Sequence, residues 1–150
     1  MADKIKKRGF TVIELLLVLS IFSILLSFSL VNLGTFGNLK NKIDVDLTNN
    51  NILDFINRSK TYCRDKNEEG GYIYFDIKNN EITFNVVLDE IFKLKLPEGF
   101  ILKPVRDDNR IKIDNMGITE DACSIKFKDR KGEMHCITMC VGTAYVDIKY

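Results

Sequence analysis

The first third of the chain contains one long apolar stretch with a basic segment in front of it. In residues 10–31 the only ionisable side chain is Glu14. As a helix, about 22 residues at about 1.5 Å each would span roughly 33 Å, close to the ~30 Å hydrocarbon core of a bilayer. The pattern therefore predicts a membrane-spanning helix.

Apolar residues continue at helical spacing beyond Gly37. These positions are Leu39, Ile43, Leu47, Ile52, Ile56 and Cys63, with Asn, Asp and Lys on the other side. The spacing predicts that the helix reaches about residues 63–66 and that this stripe covers a sheet. Gly34 and Gly37 are its candidate flexible points, and the three asparagines at 49–51 are expected to weaken it locally.

After Gly70 and Gly71 the pattern changes to alternation of apolar and polar residues, which is typical of half-buried strands. Tight turns are predicted at Asn79-Asn80 and at Gly142-Thr143. The predicted strands lie at 73–77, 82–86, 92–96, 111–113, 125–127, 134–141 and 144–148. One long helix followed by strands predicts an α+β fold, with the helix packed on an antiparallel β-sheet.

Composition agrees with one globular domain, and the charge distribution adds a topology. The chain has 150 residues, of which 45% are apolar and 29% charged, and a net charge of +1. The first nine residues carry +3 of this charge, so the near-neutral body offers no general electrostatic basis for binding nucleic acid. Basic residues before the apolar stretch predict that residues 1–9 stay in the cytoplasm and that the body lies outside the membrane.

Two ordinary interpretations also fit this N-terminus. One is a cleaved secretory signal, with Ser27 and Ser29 as the small residues before the cut, and the other is an uncleaved signal anchor. Both leave Glu14 unexplained, because a carboxylate that faces lipid at depth costs about 2.5–3.5 kcal/mol on insertion scales.

The sequence around Glu14 is more specific. Residues 6–15, Lys-Lys-Arg-Gly-Phe-Thr-Val-Ile-Glu-Leu, resemble the class III signal of type IV prepilins and pseudopilins. The resemblance implies that a prepilin peptidase cuts after Gly9, that the new N-terminal amine of Phe10 is methylated, and that Glu14 pairs with the amine of a neighbouring subunit. It divides the chain into a leader at 1–9, a transmembrane and assembly segment at 10–37 and an exported globular domain at 38–150.

The same resemblance implies a structural role without catalysis. The chain would be a single-pass protein of the cell membrane that later enters a surface filament: a pilus, a type II secretion pseudopilus or a competence pseudopilus. Its partners would be other pilin subunits, the prepilin peptidase and the inner-membrane assembly platform. A membrane-anchored domain that never polymerises remains an alternative.

The last third of the chain carries a second, looser resemblance, to H-type minor pseudopilins and their competence relatives. It rests on Phe127, Asp129, Gly132, residues 137–141, Gly142 and Val146. It favours a minor over a major subunit.

The four cysteines of an exported chain invite a disulfide interpretation. Cys136 and Cys140 lie about 13 Å apart if they share a regular strand, which is too far for a bridge. Cys63 and Cys123 could meet in a disulfide, and two buried thiols are the favoured alternative.

Metal-binding, catalytic and nucleic-acid sites have weaker support. Side chains alternate between the two faces of a strand, so the lone His135 is predicted on the opposite face from Cys136 and Cys140. No metal site is therefore predicted. No catalytic constellation or cofactor motif stands out, and neither an enzyme nor a cofactor is expected. A second hypothesis is a DNA-binding competence pilin at the filament tip. Its basic cluster would be Lys126, Lys128, Arg130 and Lys131, extended by Lys103, Arg106 and Arg110.

Overall fold

The computed structural model describes residues 11–66, 70–106, 108–120, 122–139 and 146–149. These residues form one helix followed by eight strands. The predicted α+β fold, with a long N-terminal helix packed on antiparallel sheet, is confirmed. The predicted cleavage site at Gly9/Phe10 and the predicted turn at Gly142-Thr143 lie outside the described residues.

Helix α1 comprises Val12–Lys66, and it is continuous through Gly34, Gly37 and the asparagines at 49–51. Its last turn contains the basic side chains of Arg64 and Lys66, which interact favourably with the negative end of the helix dipole. The chain divides into two compact units, Met1–Lys40 and Asn41–Tyr150, and α1 contributes to both. Within the described part of the chain, no helix combines the length and the hydropathy that crossing a membrane requires.

The strands follow in chain order. They are β1, Gly71–Asp76; β2, Glu81–Val86; β3, Asp89–Lys95; β4, Ile101–Leu102; β5, Arg110–Ile113; β6, Cys123–Lys128; β7, Met134–Met139; and β8, Val146–Lys149. β3 begins three positions before its predicted start at 92, and the two-residue β4 has no counterpart among the predicted strands.

The strands form two antiparallel sheets rather than one. The first has the order β3-β2-β1-β5 and the second the order β4-β6-β7-β8. In each sheet three consecutive strands form a meander, and a strand from the segment between the meanders is added beside β1 or β6. Alternation specifies which residues face the core, but it does not specify where a sheet ends.

One face of α1 within the second unit is buried against these sheets. Ile52 and Ile56 are fully buried, as their spacing predicts, and so is Cys63. Tyr62 packs edge-on against Phe84 of β2 and Phe92 of β3, with ring centroids 5.9 and 5.8 Å apart. Such pairs add to the stabilisation from apolar burial, so they fix the last turns of α1 on the first sheet.

The other half of the predicted apolar stripe is exposed. Leu39, Ile43 and Leu47 are 54%, 49% and 53% exposed, so the prediction that they cover the sheet is wrong. Because an α-helix advances by about 100° per residue, Ile43 and Leu47 lie on the opposite side of α1 from Val45 and Ile52.

Polar residues occupy part of the buried face of α1 instead. Asn41, Thr48 and Asn49 are all buried beside Val45. The Thr48 hydroxyl donates to the carbonyl of Asp44 at 2.6 Å, and the Asn41 amide donates to Asp129. Partners of this kind reduce the cost of burying a polar side chain. The sheets can therefore pack on this partly polar face of α1, which apolar spacing alone does not predict.

Truncation to alanine should affect stability differently on the two faces of α1. We expect Ile52→Ala to lower the free energy of unfolding by about 2–5 kcal/mol, because it leaves a cavity in the core. Leu47→Ala, five residues earlier on the exposed face, should change it by less than about 0.5 kcal/mol. Urea unfolding of the full chain in mild detergent, at a concentration where it does not assemble, measures both. Equal losses would show that the faces are assigned wrongly.

Candidate functional site

The N-terminus of α1 is closed by a reciprocal set of hydrogen bonds. The backbone N–H and the hydroxyl of Thr11 donate to Glu14 Oε2 at 2.8 and 3.1 Å. In return, the backbone N–H of Glu14 donates to the Thr11 hydroxyl at 3.3 Å. This is a capping box, in which a Thr at the N-cap and a Glu three residues later satisfy N–H groups that the first turn leaves without partners.

Glu14 therefore has partners within its own chain. The resemblance to prepilins accounts for this carboxylate only through a neighbouring subunit, whereas the Thr-x-x-Glu spacing before an apolar run is a local sequence signal that predicts the cap. A carboxylate at this end of the helix is also favoured by the helix dipole. The residue before Thr11 is Phe10, so the amine that cleavage after Gly9 would create adjoins the capping box in sequence.

The helix segment that follows presents apolar side chains on all sides. From Val12 to Phe28 the large apolar residues are all exposed in the single chain. A helix that is apolar all round requires cover from lipid or from other protein.

Three serines interrupt this apolar surface without leaving free hydroxyl donors. Ser20, Ser23 and Ser27 donate to carbonyls of their own helix, those of Leu17, Leu19 and Ser23, at 2.8, 2.9 and 2.8 Å. Such internal bonds let a serine enter an apolar environment at reduced cost. They leave small, satisfied side chains where another helix could approach closely.

A second polar centre lies at the turn between β6 and β7. Asp129 is buried, and its Oδ1 accepts the backbone N–H groups of Lys131 and Glu133, both at 2.9 Å. Its Oδ2 accepts the Asn41 amide at 2.7 Å and lies 3.4 Å from Nε2 of His135. One carboxylate thus fixes the turn and attaches it to α1.

Two opposing effects act on the pKa of Asp129. Burial raises it, whereas hydrogen bonds from Asn41 and from the backbone of Glu133 and Lys131, together with the nearby His135, lower it; the net result is a pKa below the usual value. Asp129, Glu133 and His135 also bring potential metal-ligand atoms within 4.8 Å of one another. Because both oxygens of Asp129 already serve the turn and α1, the arrangement is accounted for by the fold.

The predicted basic cluster is not a uniform surface. Arg130 donates to Asp44 Oδ2 at 2.6 Å and to the carbonyl of Glu98 at 2.9 Å, and it stacks over the Phe100 ring. It therefore acts as a structural link between the β6–β7 turn and α1. Lys126 and Lys128 share the solvent-facing side of β6, and nothing in their geometry favours DNA over solvent.

The predicted cysteine pair lies in the core. Cys63 on α1 and Cys123 at the start of β6 are both buried, and both are thiols in the structure. The Cys123 thiol contacts the sulfur of Met139 at 3.9 Å. The redox state of this pair stays a prediction, in which buried thiols are favoured and a Cys63–Cys123 disulfide is the alternative.

Comparison with known protein families identifies the N-terminal segment. Residues 4–30 match the family described as the prokaryotic N-terminal methylation motif. The resemblance of residues 6–15 to the prepilin signal is thereby confirmed, and the chain carries the N-terminal signal of type IV prepilins and pseudopilins. The match includes Gly9, Phe10 and Glu14, but their individual roles remain predictions.

Comparison with solved structures gave a match to the minor pseudopilin EpsH from the type 2 secretion system of Vibrio cholerae. The TM-score is 0.49 at 10% sequence identity, over 69% of this chain and 94% of the EpsH chain. A comparison with curated protein sequences found no match.

The lowered pKa of Asp129 predicts a pH-dependent contribution to stability. The folded state favours the ionised carboxylate, so the contribution is complete above the unfolded pKa of about 3.9 and is lost as pH falls through the folded value. We expect Asp129→Asn to lower the free energy of unfolding by about 1–3 kcal/mol at pH 7, with the deficit shrinking toward pH 3. Urea unfolding at a series of pH values measures it.

Asp108→Asn serves as the matched control for this experiment. Asp108 also has a lowered pKa, caused mainly by its hydrogen bond with Arg110, but both side chains are about half exposed. Solvent screens such a pair, so at pH 7 its replacement should lower the free energy of unfolding much less than the replacement of Asp129 does. A deficit for Asp129→Asn that is no larger than the deficit for Asp108→Asn, or that does not change with pH, would contradict the role assigned to Asp129.

Proposed function

We propose that this chain is a structural subunit of a type IV filament, of the minor pilin or pseudopilin kind. The observation that carries the proposal is the methylation motif at residues 4–30, which includes the first turns of a helix with exposed apolar side chains. A segment of this kind is stable only when lipid or other subunits cover it. The assignment as a minor subunit rests on the residue pattern of the last third alone.

Processing accounts for the order of charges along the segment. Cleavage after Gly9 removes Lys4, Lys6, Lys7 and Arg8 yet retains the apolar helix on the mature protein. The basic residues first orient the helix in the membrane, with residues 1–9 in the cytoplasm and the domain at 38–150 outside. The prepilin peptidase and the assembly platform are then the partners that act before the filament forms.

Assembly requires Glu14 to change partners. In the single chain its carboxylate accepts the Thr11 N–H and hydroxyl. In a filament the methylated amine of a neighbouring Phe10 would offer it a full positive charge. Pairing two charges that each resist burial aligns neighbouring helices, and such pairs contribute more to register than to net stability.

The exposed side of α1 in the globular unit supports the same proposal. Ile43 and Leu47 lie one helical turn apart on the face that the sheets leave uncovered. They leave apolar surface on an otherwise polar helix face, which includes Asn50 and Asp54. Neighbouring subunits in a filament would cover it.

The N-terminus of the mature protein tests the processing step. We expect membrane-extracted protein to begin at Phe10 and to carry the added mass of one methyl group, which intact mass and N-terminal sequencing measure. Gly9→Val should leave the full leader attached, because the side chain obstructs the approach of a peptidase to the backbone. A mature chain that begins near residue 30, or an uncut chain from wild-type cells, would refute processing at Gly9.

Variants of the capping box separate the two roles of Glu14. Glu14→Gln keeps a side-chain acceptor for the Thr11 N–H but loses the charge, whereas Thr11→Val weakens the cap and keeps the charge. We expect about tenfold less incorporation into sheared filaments for Glu14→Gln and for Glu14→Ala, with normal cleavage and insertion. Thr11→Val should retain most of the incorporation.

The pattern of these results distinguishes the alternatives. If Glu14→Gln assembles normally while Thr11→Val does not, Glu14 acts as a cap and not as a charge partner. If every variant and the wild type remain in the membrane fraction, the chain is an anchored domain that does not polymerise.

A further inference from the structure

The hairpin between β2 and β3 has an unusual pair of residues at its tip. Val86 pairs with Asp89, so the connection consists of Val87 and Leu88 alone. Two-residue hairpin connections require a positive φ at the first central residue and therefore strongly favour Gly, Asn or Asp there. Here that position is valine, with φ of 58°.

This tip is unfavourable in the single chain on two independent counts. A β-branched residue in the left-handed region is a conformational outlier, because its side chain crowds the backbone. Val87 and Leu88 are also 81% and 93% exposed, which makes them the two most exposed large apolar side chains described in the chain. Local rules broken together in this way are characteristic of functional surfaces.

The residues that follow the tip define the chemistry of its partner. Asp89 and Glu90 open β3, and both are exposed. A partner surface must therefore offer an apolar depression for Val87 and Leu88 beside positive charge for the two carboxylates. Acidic lipid headgroups would repel this tip, so a protein surface fits better than a membrane surface.

The second sheet of the same chain has a surface with these properties. A groove of about 390 Å³ runs beside β6. Apolar residues, hydroxyl residues and two basic residues line it together: Pro104, Val105, Ala122, Cys123, Ser124, Thr138, Arg106 and Lys126. Both charged residues that line it are basic. The larger groove of about 500 Å³ beside α1 has Asp54 and Asp65 as well as Arg58 and Lys66 in its lining, so it lacks this complementarity.

We propose that the β2–β3 tip, residues 87–90, docks into the groove between Val105 and Lys126 of a second copy of this chain. The contact deepens the proposed function and rests on it, because it adds a contact between globular units to the packing of helices. Tip and groove are different surfaces on different sheets, so the interface is head-to-tail. A head-to-tail contact that does not close into a ring produces an open array, which is the symmetry of a filament.

Site-specific photo-cross-linking in producing cells tests the contact with the full chain. Leu88 is replaced by the photoreactive p-benzoylphenylalanine, and two isotopically distinct copies are expressed together so that peptides joined between copies can be recognised. We expect cross-links from position 88 to residues 122–126 of another copy. Met116, which is also apolar and exposed, provides the control position and should not reach that segment.

Charge reversal tests the pairing by rescue. Glu90→Lys alone and Lys126→Glu alone should each reduce the cross-link yield about tenfold, since each places like charges together. The combination should restore most of the yield. Rescue of this kind is not expected from variants that merely disturb folding.

A variant of the tip separates docking from folding. Val87→Gly with Leu88→Ser places a favoured pair in the turn, because glycine adopts a positive φ without strain. We expect this variant to be at least as resistant to urea as the wild type while losing incorporation or copy-to-copy contact, which chemical cross-linking with a lysine-reactive reagent detects. If the variant keeps both its incorporation into filaments and its copy-to-copy cross-links, the role of the tip is refuted.

The remaining outcomes also decide the proposal. Cross-links from position 88 to a different protein or to lipid, or an absence of cross-links in assembled filaments, would refute docking to a second copy. Mature protein that begins at methylated Phe10 and still enters filaments would leave the proposed function intact in that case. Failure of processing or of all assembly would instead count against the filament role itself.

Discussion

Burial of one face of α1 against two separate sheets is the contact that organises the globular unit. Ile52 and Ile56 supply the apolar area, and Tyr62 fixes the helix to the first sheet through Phe84 and Phe92. Among the described residues, Ile43 and Leu47 on the opposite face remain about half exposed. This is the apolar surface that the proposed filament contacts would cover.

Polar groups complete this contact where apolar spacing is interrupted. Asp129 joins the β6–β7 turn to Asn41, and Arg130 joins the same turn to Asp44. Removing one partner would leave a desolvated group uncompensated, so such contacts define the position of the turn on α1 more than they add to net stability. They also give the Arg130 guanidinium partners within the protein, although its side chain stays about one-third exposed.

The two sites for which contacts with another subunit are proposed differ in how far the single chain satisfies them. Glu14 is satisfied by Thr11 within its own helix, and the proposed partner in a neighbouring subunit would replace these bonds with a charge pair. At the β2–β3 tip, Val87 and Leu88 have no such internal compensation. The first arrangement permits an exchange of partners, and the second favours association because docking removes apolar surface from water.

The sequence by itself determined the prepilin signal, the length of the helix, most strands and the fold class, because each depends on local spacing and periodicity. It also contained the Thr11–Glu14 cap, whose spacing is a local signal. The tertiary structure decided which face of α1 is buried, the division into two sheets and the meeting of Asn41 with Asp129. Those features depend on packing between residues as far apart as 41 and 129, and a helix that is apolar on two sides does not reveal which side the sheets will cover.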